Sequence, residues 1–283
     1  MQIIRILASL AALTVSSHAL EWNDNSVGFR YGTEFAEPYG SDDIAKGIFH
    51  FTHASGYKYG TNFFNLDYLV SNDDDPRDPG SSDGAQEFYV VYRHTLDLGK
   101  ASGQDLKWGP IRGCGLTAGF DWNHKDDAAY NSRKQMIVLG PTLMIDVPGF
   151  LNISLLALWE SNAPYNGFSD VETDRYTYDT HPALCLNWGI PFKLGPVPLS
   201  FEGYANFIAS KGDDEFGDGT APETNIDMQL MYDAGSLMGL EKNHLKIGLE
   251  YQFWRNKFGN DHKGPAGDGA FANTPMIRME YHF

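Results

Sequence analysis

The sequence predicts an all-β protein, a transmembrane, antiparallel, up-and-down β-barrel of about 12 strands with short periplasmic turns and longer, acidic external loops. Three observations predict this class: an alternating C-terminal segment that ends on Phe283, an export leader at the N-terminus, and a composition rich in strand formers. The chain has 30 Gly, 18 Phe, 15 Tyr and 6 Trp in 283 residues, and its mean hydropathy is negative. A barrel has this composition because only every second strand residue meets lipid.

The last nine residues alternate between apolar and polar side chains up to the terminal carboxylate. Successive side chains of a strand point to opposite faces, so Pro275, Ile277, Met279, Tyr281 and Phe283 share one face. The opposite face carries Met276, Arg278, Glu280 and His282. One face suits lipid and the other suits water, which predicts a closing barrel strand.

The N-terminus predicts export. Arg5 precedes an apolar run over residues 6–15, and Ser17-His18-Ala19 has the small residues that signal peptidase requires. We therefore expect residues 1–19 to form a cleaved signal peptide and residues 20–283 to form one outer-membrane barrel domain. The alternative for the leader is an uncleaved amphipathic anchor. We expect outer-membrane lipid and lipopolysaccharide to surround the barrel.

Period-2 alternation between turn residues predicts 12 strands. They span residues 25–35, 44–54, 61–71, 86–97, 114–124, 134–146, 150–161, 175–188, 197–209, 223–234, 243–255 and 274–283. In the first strand, Val27, Phe29, Tyr31, Thr33 and Phe35 are expected to face outward. An even number of strands places both termini in the periplasm.

The connections support the same topology. The predicted external loops are residues 37–43, 72–85, 125–133, 162–174, 210–222 and 256–273, most of them long, polar and rich in Asp and Gly. The periplasmic connections include the tight Val147-Pro148-Gly149 turn, whereas residues 99–113 are long for such a turn. Asp73-Asp74-Asp75 and Asp213-Asp214-Glu215 lack the spacing of a calcium loop, so we interpret both as solvated surface and expect no metal site.

Charge and cysteine content exclude several functions. The formal net charge of −16 repels nucleic acid. The predicted register turns Cys114 toward lipid and Cys185 inward, which argues against a disulfide between them. Two cysteines and scattered histidines do not make a structural zinc site, and no motif indicates a cofactor.

The register also predicts which side chains line the lumen. The inward basic residues are Arg30, Lys46, Arg93, Lys246 and Arg278. The inward acidic residues are Glu34, Asp67, Asp121, Glu160, Asp179, Glu202, Asp227, Asp233, Glu250 and Glu280. This acidic excess disfavours anions. The candidate substrate-binding residues are Phe63, Tyr89, Tyr204 and Trp254, whose rings can stack on a planar solute, with Arg30, Asp67, Arg93, Glu250, Arg278 and Glu280.

Four segments resemble one known family. Residues 22–32 (Trp-Asn-Asp-Asn-Ser-Val-Gly-Phe-Arg-Tyr-Gly) resemble the first strand of the nucleoside-specific outer-membrane channel (Tsx-like) family. Residues 51–64, together with 140–143 and 146–150, resemble its outer envelope protein branch. The resemblance implies a monomeric, 12-stranded barrel without enzymatic activity, through which nucleosides or similar small neutral solutes diffuse passively.

Other functions stay open at this point. A general small-solute porin and a closed structural barrel would share the same inward pattern. His53 and Ser55 have the His-x-Ser spacing of a lipid hydrolase, with Asn62 or Asn65 as the orienting group, although the predicted topology puts Ser55 in a periplasmic turn. A phage or colicin receptor is a further alternative for an exposed barrel.

Overall fold

The computed structural model describes residues 20–40, 43–167 and 169–283. The predicted signal peptide, residues 1–19, lies outside the described residues. Over the described residues, 12 long strands form the barrel. They are β1 (Trp22–Phe35), β2 (Ile44–Tyr57), β3 (Gly60–Ser71), β4 (Gln86–Asp97), β5 (Ile111–Asp126), β6 (Gln135–Ile145), β7 (Phe150–Asn162), β8 (His181–Leu194), β9 (Val197–Ile208), β10 (Glu223–Asp233), β11 (Leu245–Arg255) and β12 (Phe271–His282).

Each strand pairs antiparallel with its neighbours in the chain, and β12 pairs with β1 to close the sheet. At the closure Val27 lies opposite Tyr281 and Arg30 opposite Arg278. Paired residues point to the same side, so this register puts Val27 and Tyr281 outside and both arginines inside. The predicted fold, a closed 12-stranded antiparallel barrel, is confirmed.

The connections alternate between short and long, as expected. The tight turns at one end use Gly149 and Gly195, both with positive φ (75° and 62°), a conformation that glycine adopts without a Cβ penalty. We call this the periplasmic end and the opposite one the external end. The connection after β4 is long, as its sequence predicted. It contains the short helix α1 (Leu98–Ser102), whose first turn is capped by the Asp97 carboxylate.

Two local predictions were wrong. The eighth strand begins at His181 rather than at residue 175, and Tyr176–Thr177 instead pairs with the external end of β7. Asp179 therefore lies in a loop and not on the inward face of a barrel strand. In β1, a bulge between Gly32 and Phe35 shifts the register, so Phe35 turns inward while Glu34 is exposed.

The outer surface is a belt of apolar side chains. Its most exposed members include Leu249 (66%), Ile137 (62%), Ile277 (61%) and Leu155 (56%), each on the face opposite to the lumen. A water-soluble sheet would turn such side chains inward, whereas a barrel in lipid turns them outward. The exposed belt therefore identifies a membrane-embedded barrel.

In the described part of the chain, no helix has the length and apolar character needed to cross a bilayer.

Candidate functional site

The candidate site is the lumen, where the pairing register places all ten candidate pore-lining residues on the inward face. Those residues are Phe63, Tyr89, Tyr204, Trp254, Arg30, Asp67, Arg93, Glu250, Arg278 and Glu280. Because strand side chains alternate, this common facing follows from parity along each strand.

A connected ion-pair network runs along the lumen wall from β11 to β3, and we call Arg30, Asp67, Glu250, Arg278 and Glu280 the middle layer. Glu250 accepts from Arg30 Nη1 at 3.0 Å and from Arg278 Nη1 at 2.7 Å. Arg30 also pairs with Asp67, and Arg278 Nη2 lies 2.6 Å from Glu280 Oε1. The Glu250 side chain is 0% exposed. The arginines are therefore held side by side by carboxylates, with little water around them.

Two aromatic side chains approach the middle layer, Tyr204 from the opposite wall and Tyr89 from β4, where it lies directly opposite Asp67. Tyr204 of β9 lies close enough to Arg30 of β1 and Asp67 of β3 for electrostatic interaction. The Tyr89 hydroxyl donates to Asp121 Oδ2 at 3.3 Å, and Arg93 pairs with the same carboxylate. Because these groups come from opposite sides of the barrel, side chains fill the lumen at this height.

The wall formed by β4 to β7 carries a chain of inward hydroxyls. Thr95 Oγ1 lies 2.8 Å from Thr117 Oγ1, and Thr142 Oγ1 lies 2.7 Å from Ser154 Oγ. Thr117 and Thr142 are also hydrogen-bonded to each other, which links four strands. Above this chain, Met136, Val138, Leu156, Leu158 and Ala183 form an apolar cluster on the inward face. The wall is thus polar but not uniformly charged.

The lumen wall is exposed to solvent near the periplasmic end of β3. Phe63 points inward near the periplasmic end of β3 and is 41% exposed. Its inward neighbour Thr61 is also exposed. Phe63 is therefore the candidate aromatic residue that a solute entering from this end would meet first.

A second ion network covers the external end, and we call Glu37, Lys46, Asp75, Lys125 and Lys257 the external cap. The Glu37 carboxylate lies 2.6 Å from Lys46 Nζ, 3.1 Å from Lys257 Nζ and 3.6 Å from Lys125 Nζ. Asp75 lies 3.3 Å from Lys46 Nζ and 3.2 Å from Lys125 Nζ. The cap thus ties the β1–β2, β3–β4 and β11–β12 connections to the ends of β2 and β5.

Burial and the neighbouring charges shift the pKa values of two loop residues of the cap. Burial alone would raise the pKa of Glu37, but the ammonium groups of Lys125, Lys257 and Lys46 hold it well below its usual range. Burial lowers the pKa of Lys257 below its ordinary value, although Glu37 opposes that change. Glu37 is therefore ionised at neutral pH and stabilises three nearby cations.

The acidic loops are not simply solvated surface, so that prediction was wrong for two of their residues. Asp75 is buried and paired within the external cap. Glu215 accepts hydrogen bonds from the hydroxyls of Tyr130 and Tyr176, the latter at 2.7 Å. These contacts draw the external loops inward over the barrel. Among the residues described, no group of three or more His, Cys, Asp or Glu side chains is arranged to hold a metal ion.

The pairing register determines which side of the barrel wall the two cysteines and the His-x-Ser pair face. Cys114 pairs with Leu143 on the outward face, Cys185 with Ser154 on the inward face, and both are free thiols. His53 Nε2 lies 3.0 Å from Ser55 Oγ on the outward face of β2.

The details of the hydrolase alternative were wrong. Ser55 lies in β2 and not in a turn, and the group at His53 Nδ1 is Asn25 Oδ1, at 2.7 Å. Asn62 instead accepts from the Tyr92 hydroxyl, and Asn65 faces the lumen beside Thr52. Ser55 is 1% exposed, so its hydroxyl is recessed beneath its neighbours. An accessible nucleophile, which acyl transfer requires, is not presented here.

No family model and no curated protein matches the chain. Among solved structures, the translocator domain of the autotransporter NalP from Neisseria meningitidis is similar, with 14% identity over 100% of this chain and 95% of that chain, and a TM-score of 0.46. The NanC porin is 10% identical over 93% of this chain and 99% of its own, with a TM-score of 0.44. The KdgM porin in complex with disordered oligogalacturonate is 10% identical over 91% and 99%, with a TM-score of 0.40.

Proposed function

We propose that the protein is an outer-membrane channel for passive diffusion of nucleosides or similar small neutral solutes. The observation that supports this most strongly is the sidedness of the barrel wall. Its outward face is an exposed apolar belt, whereas its inward face carries hydroxyls, ion pairs and four aromatic rings. A lumen of this kind lets water and polar solutes cross a bilayer that excludes them.

The chemistry of the inward face supports a flat, uncharged solute. Stacking on an aromatic side chain contributes ~1–3 kcal/mol per ring, which gives a weak and quickly released complex. Release matters because conduction requires binding that is favourable but transient. Acidic residues such as Asp121, Glu202 and Asp227 face the lumen and disfavour anions. A nucleoside fits these conditions and a nucleotide does not, and no chemical step is involved.

The experiment is single-channel recording of the refolded barrel in a planar bilayer, titrated with adenosine, thymidine, a nucleotide and a sugar. Block by the nucleosides alone would support the proposal. Conduction without block would leave a general small-solute porin. Replacing Phe63 with alanine should weaken block roughly 5- to 150-fold, which corresponds to the loss of one stacking partner. Phe49→Ala, on the outward face and 55% exposed, is the matched control and should leave block unchanged.

A closed structural barrel is the second candidate, and the burial of the middle layer favours it. Glu250 is 0% exposed and Arg278 is 9% exposed, so a solute passes only if these side chains move apart. In a closed barrel the same ion pairs would only fix the arrangement of the strands and would have no role in transport. Absence of conductance under every condition would support this candidate.

A further inference from the structure

The connection between β11 and β12, residues 256–270, enters the mouth of the barrel through an unusual backbone conformation. Asn256 and Phe258 have φ values of 54° and 60°, so the residues on both sides of Lys257 are left-handed. Asparagine tolerates this region, but a bulky side chain such as that of Phe258 rarely adopts it. Two such residues within three positions turn Lys257 inward, where its side chain is 5% exposed.

The Lys257 ammonium group is shared between the external cap and a lumen aromatic. Its Nζ lies 3.1 Å from the Glu37 carboxylate and donates to the Ala36 carbonyl at 2.6 Å. The same Nζ lies 5.0 Å from the centre of the Trp254 ring, a cation–π distance. Phe258 packs on the Trp254 ring at 4.9 Å, and Trp254 Nε1 donates to Glu223 at 2.6 Å. The Trp254 ring is thus fixed in place, and Lys257 lies over it.

The same loop touches the β1–β2 connection at a second place. The Tyr39 amide donates to the Ala266 carbonyl at 3.0 Å. A Cβ on Gly269 would lie 2.0 Å from the Glu37 carbonyl and 2.6 Å from the Gly40 carbonyl. Only glycine permits this approach, since the atoms that a larger residue would meet belong to backbone. The loop is therefore seated on its neighbour by backbone contact as well as by charge.

We propose that residues 256–270 form a gate over the lumen, held shut by Lys257 on Glu37 and released when a planar solute takes the face of Trp254 that Lys257 covers. The inference rests on the proposed channel function and assigns its regulation. A solute ring and the Lys257 ammonium group compete for one aromatic face. When the solute binds there, Lys257 loses its contact with Trp254 and keeps the Phe258 ring at 5.1 Å, Glu37 and the Ala36 carbonyl. As the loop moves outward, water can replace the bonds to Glu37 and Ala36.

The test uses two variants that open the gate by different means. Lys257→Gln removes the charge, and Gly269→Ala inserts a methyl group between the two loops while every charge stays. The matched controls lie in the same loop: Lys263→Gln, at an exposed lysine, and Gly264→Ala, where an added Cβ meets its nearest atom at 3.3 Å. Planar-bilayer recording without solute should show an open fraction at least about 5-fold above wild type for both test variants and no change for the controls.

Adenosine provides the second measurement, because opening and block have different kinetic signatures. In the wild type it should shorten the closed intervals between bursts while it adds brief interruptions within each burst. Trp254→Ala should abolish the shortening of closed intervals. Lys257→Gln should abolish it too, since the gate is already released, yet should keep the brief interruptions that report block elsewhere in the lumen.

The recordings distinguish a failure of the gate proposal from a failure of the channel proposal. Conduction by the test variants where the wild type is silent would support both. If wild type and test variants conduct with equal open fractions and equal closed intervals, the gate is overturned and the channel stands. If none of the proteins conducts although each migrates as a folded barrel on unheated gels, the channel is overturned and the gate with it.

Discussion

The middle layer and the external cap are both networks of buried ion pairs inside one lumen, but they are built from different parts of the chain. Every member of the middle layer lies on a barrel strand, so the hydrogen-bond ladder fixes its height and its direction. In the cap, Glu37, Asp75 and Lys257 lie in connections. Strand pairing fixes the backbone that carries the first set of charges, so these can separate only by side-chain rotation, whereas charges held by loops can also separate by backbone movement. The first network therefore supports the fold, and the second one can move.

Removal of Glu250 should have the largest effect on the barrel. Arg30 and Arg278 are directly paired across β1 and β12, and both bond Glu250. Glu250→Gln leaves two adjacent buried guanidinium groups without their shared anion, and breaking a buried pair in this way costs about 3–5 kcal/mol. Urea unfolding in lipid vesicles should show a loss of that size in the free energy of unfolding.

Glu202→Gln is the matched control for that measurement. Glu202 pairs with Lys246 at 2.9 Å on the same inward face, but its side chain is 21% exposed. A pair in contact with water contributes only about 0–1 kcal/mol. Equal losses from the two substitutions would contradict the special role given to the middle layer.

The contrast between the two networks also explains what the sequence can predict. The facing of the middle layer follows from parity, because a polar residue two positions from another polar residue shares its side of the sheet. Parity fails where the backbone is irregular, as at the bulge that turns Phe35 inward. It also fails at the start of β8, where Tyr176 alternates with its neighbours but pairs with the end of β7 outside the barrel strand.

The external cap could not be predicted in the same way. Glu37 and Lys257 lie near opposite ends of the sequence, in loops that have no periodic pattern. Their contact depends on loop conformation, including the left-handed Phe258, and no local signal in the sequence indicates that conformation. Barrel closure alone predicts that these two loops lie near each other. The first and last hairpins of a barrel are neighbours, which brings their external loops together.

Strong acid should loosen the cap. The pKa of Glu37 is held well below its ordinary value of 4.5, so its ion pairs contribute stability above that value and lose it as the pH falls through the lower pKa. The groups that face it are Lys46, Lys125, Lys257 and, through the lysines, Asp75. Closure should therefore persist at pH 5 and weaken only in stronger acid.

Amide hydrogen exchange of residues 256–270, corrected for the intrinsic rate at each pH, measures this directly. In the Glu37→Gln variant, the amides of residues 256–270 should exchange rapidly at neutral pH, and their exchange rates should change little on acidification. A wild-type loop that opens between pH 7 and pH 5 would show that a group other than Glu37 controls the cap.

Lys257→Gln should have the smallest effect on the stability of the barrel, even though it removes a buried charge. The residue lies in a connection, so its freed partner Glu37 can reach water when the loop moves, and no strand pairing is lost. We expect the loss in the free energy of unfolding to stay below the roughly 3–5 kcal/mol expected for Glu250→Gln. Cleavage by trypsin after Lys263, in the same loop, should nevertheless become faster. Cleavage after Arg77, in the β3–β4 connection and half-exposed, is the internal reference and should keep its rate. A large loss of stability with unchanged cleavage at Lys263 would place Lys257 with the middle layer, as a part of the fold and not of a movable cap.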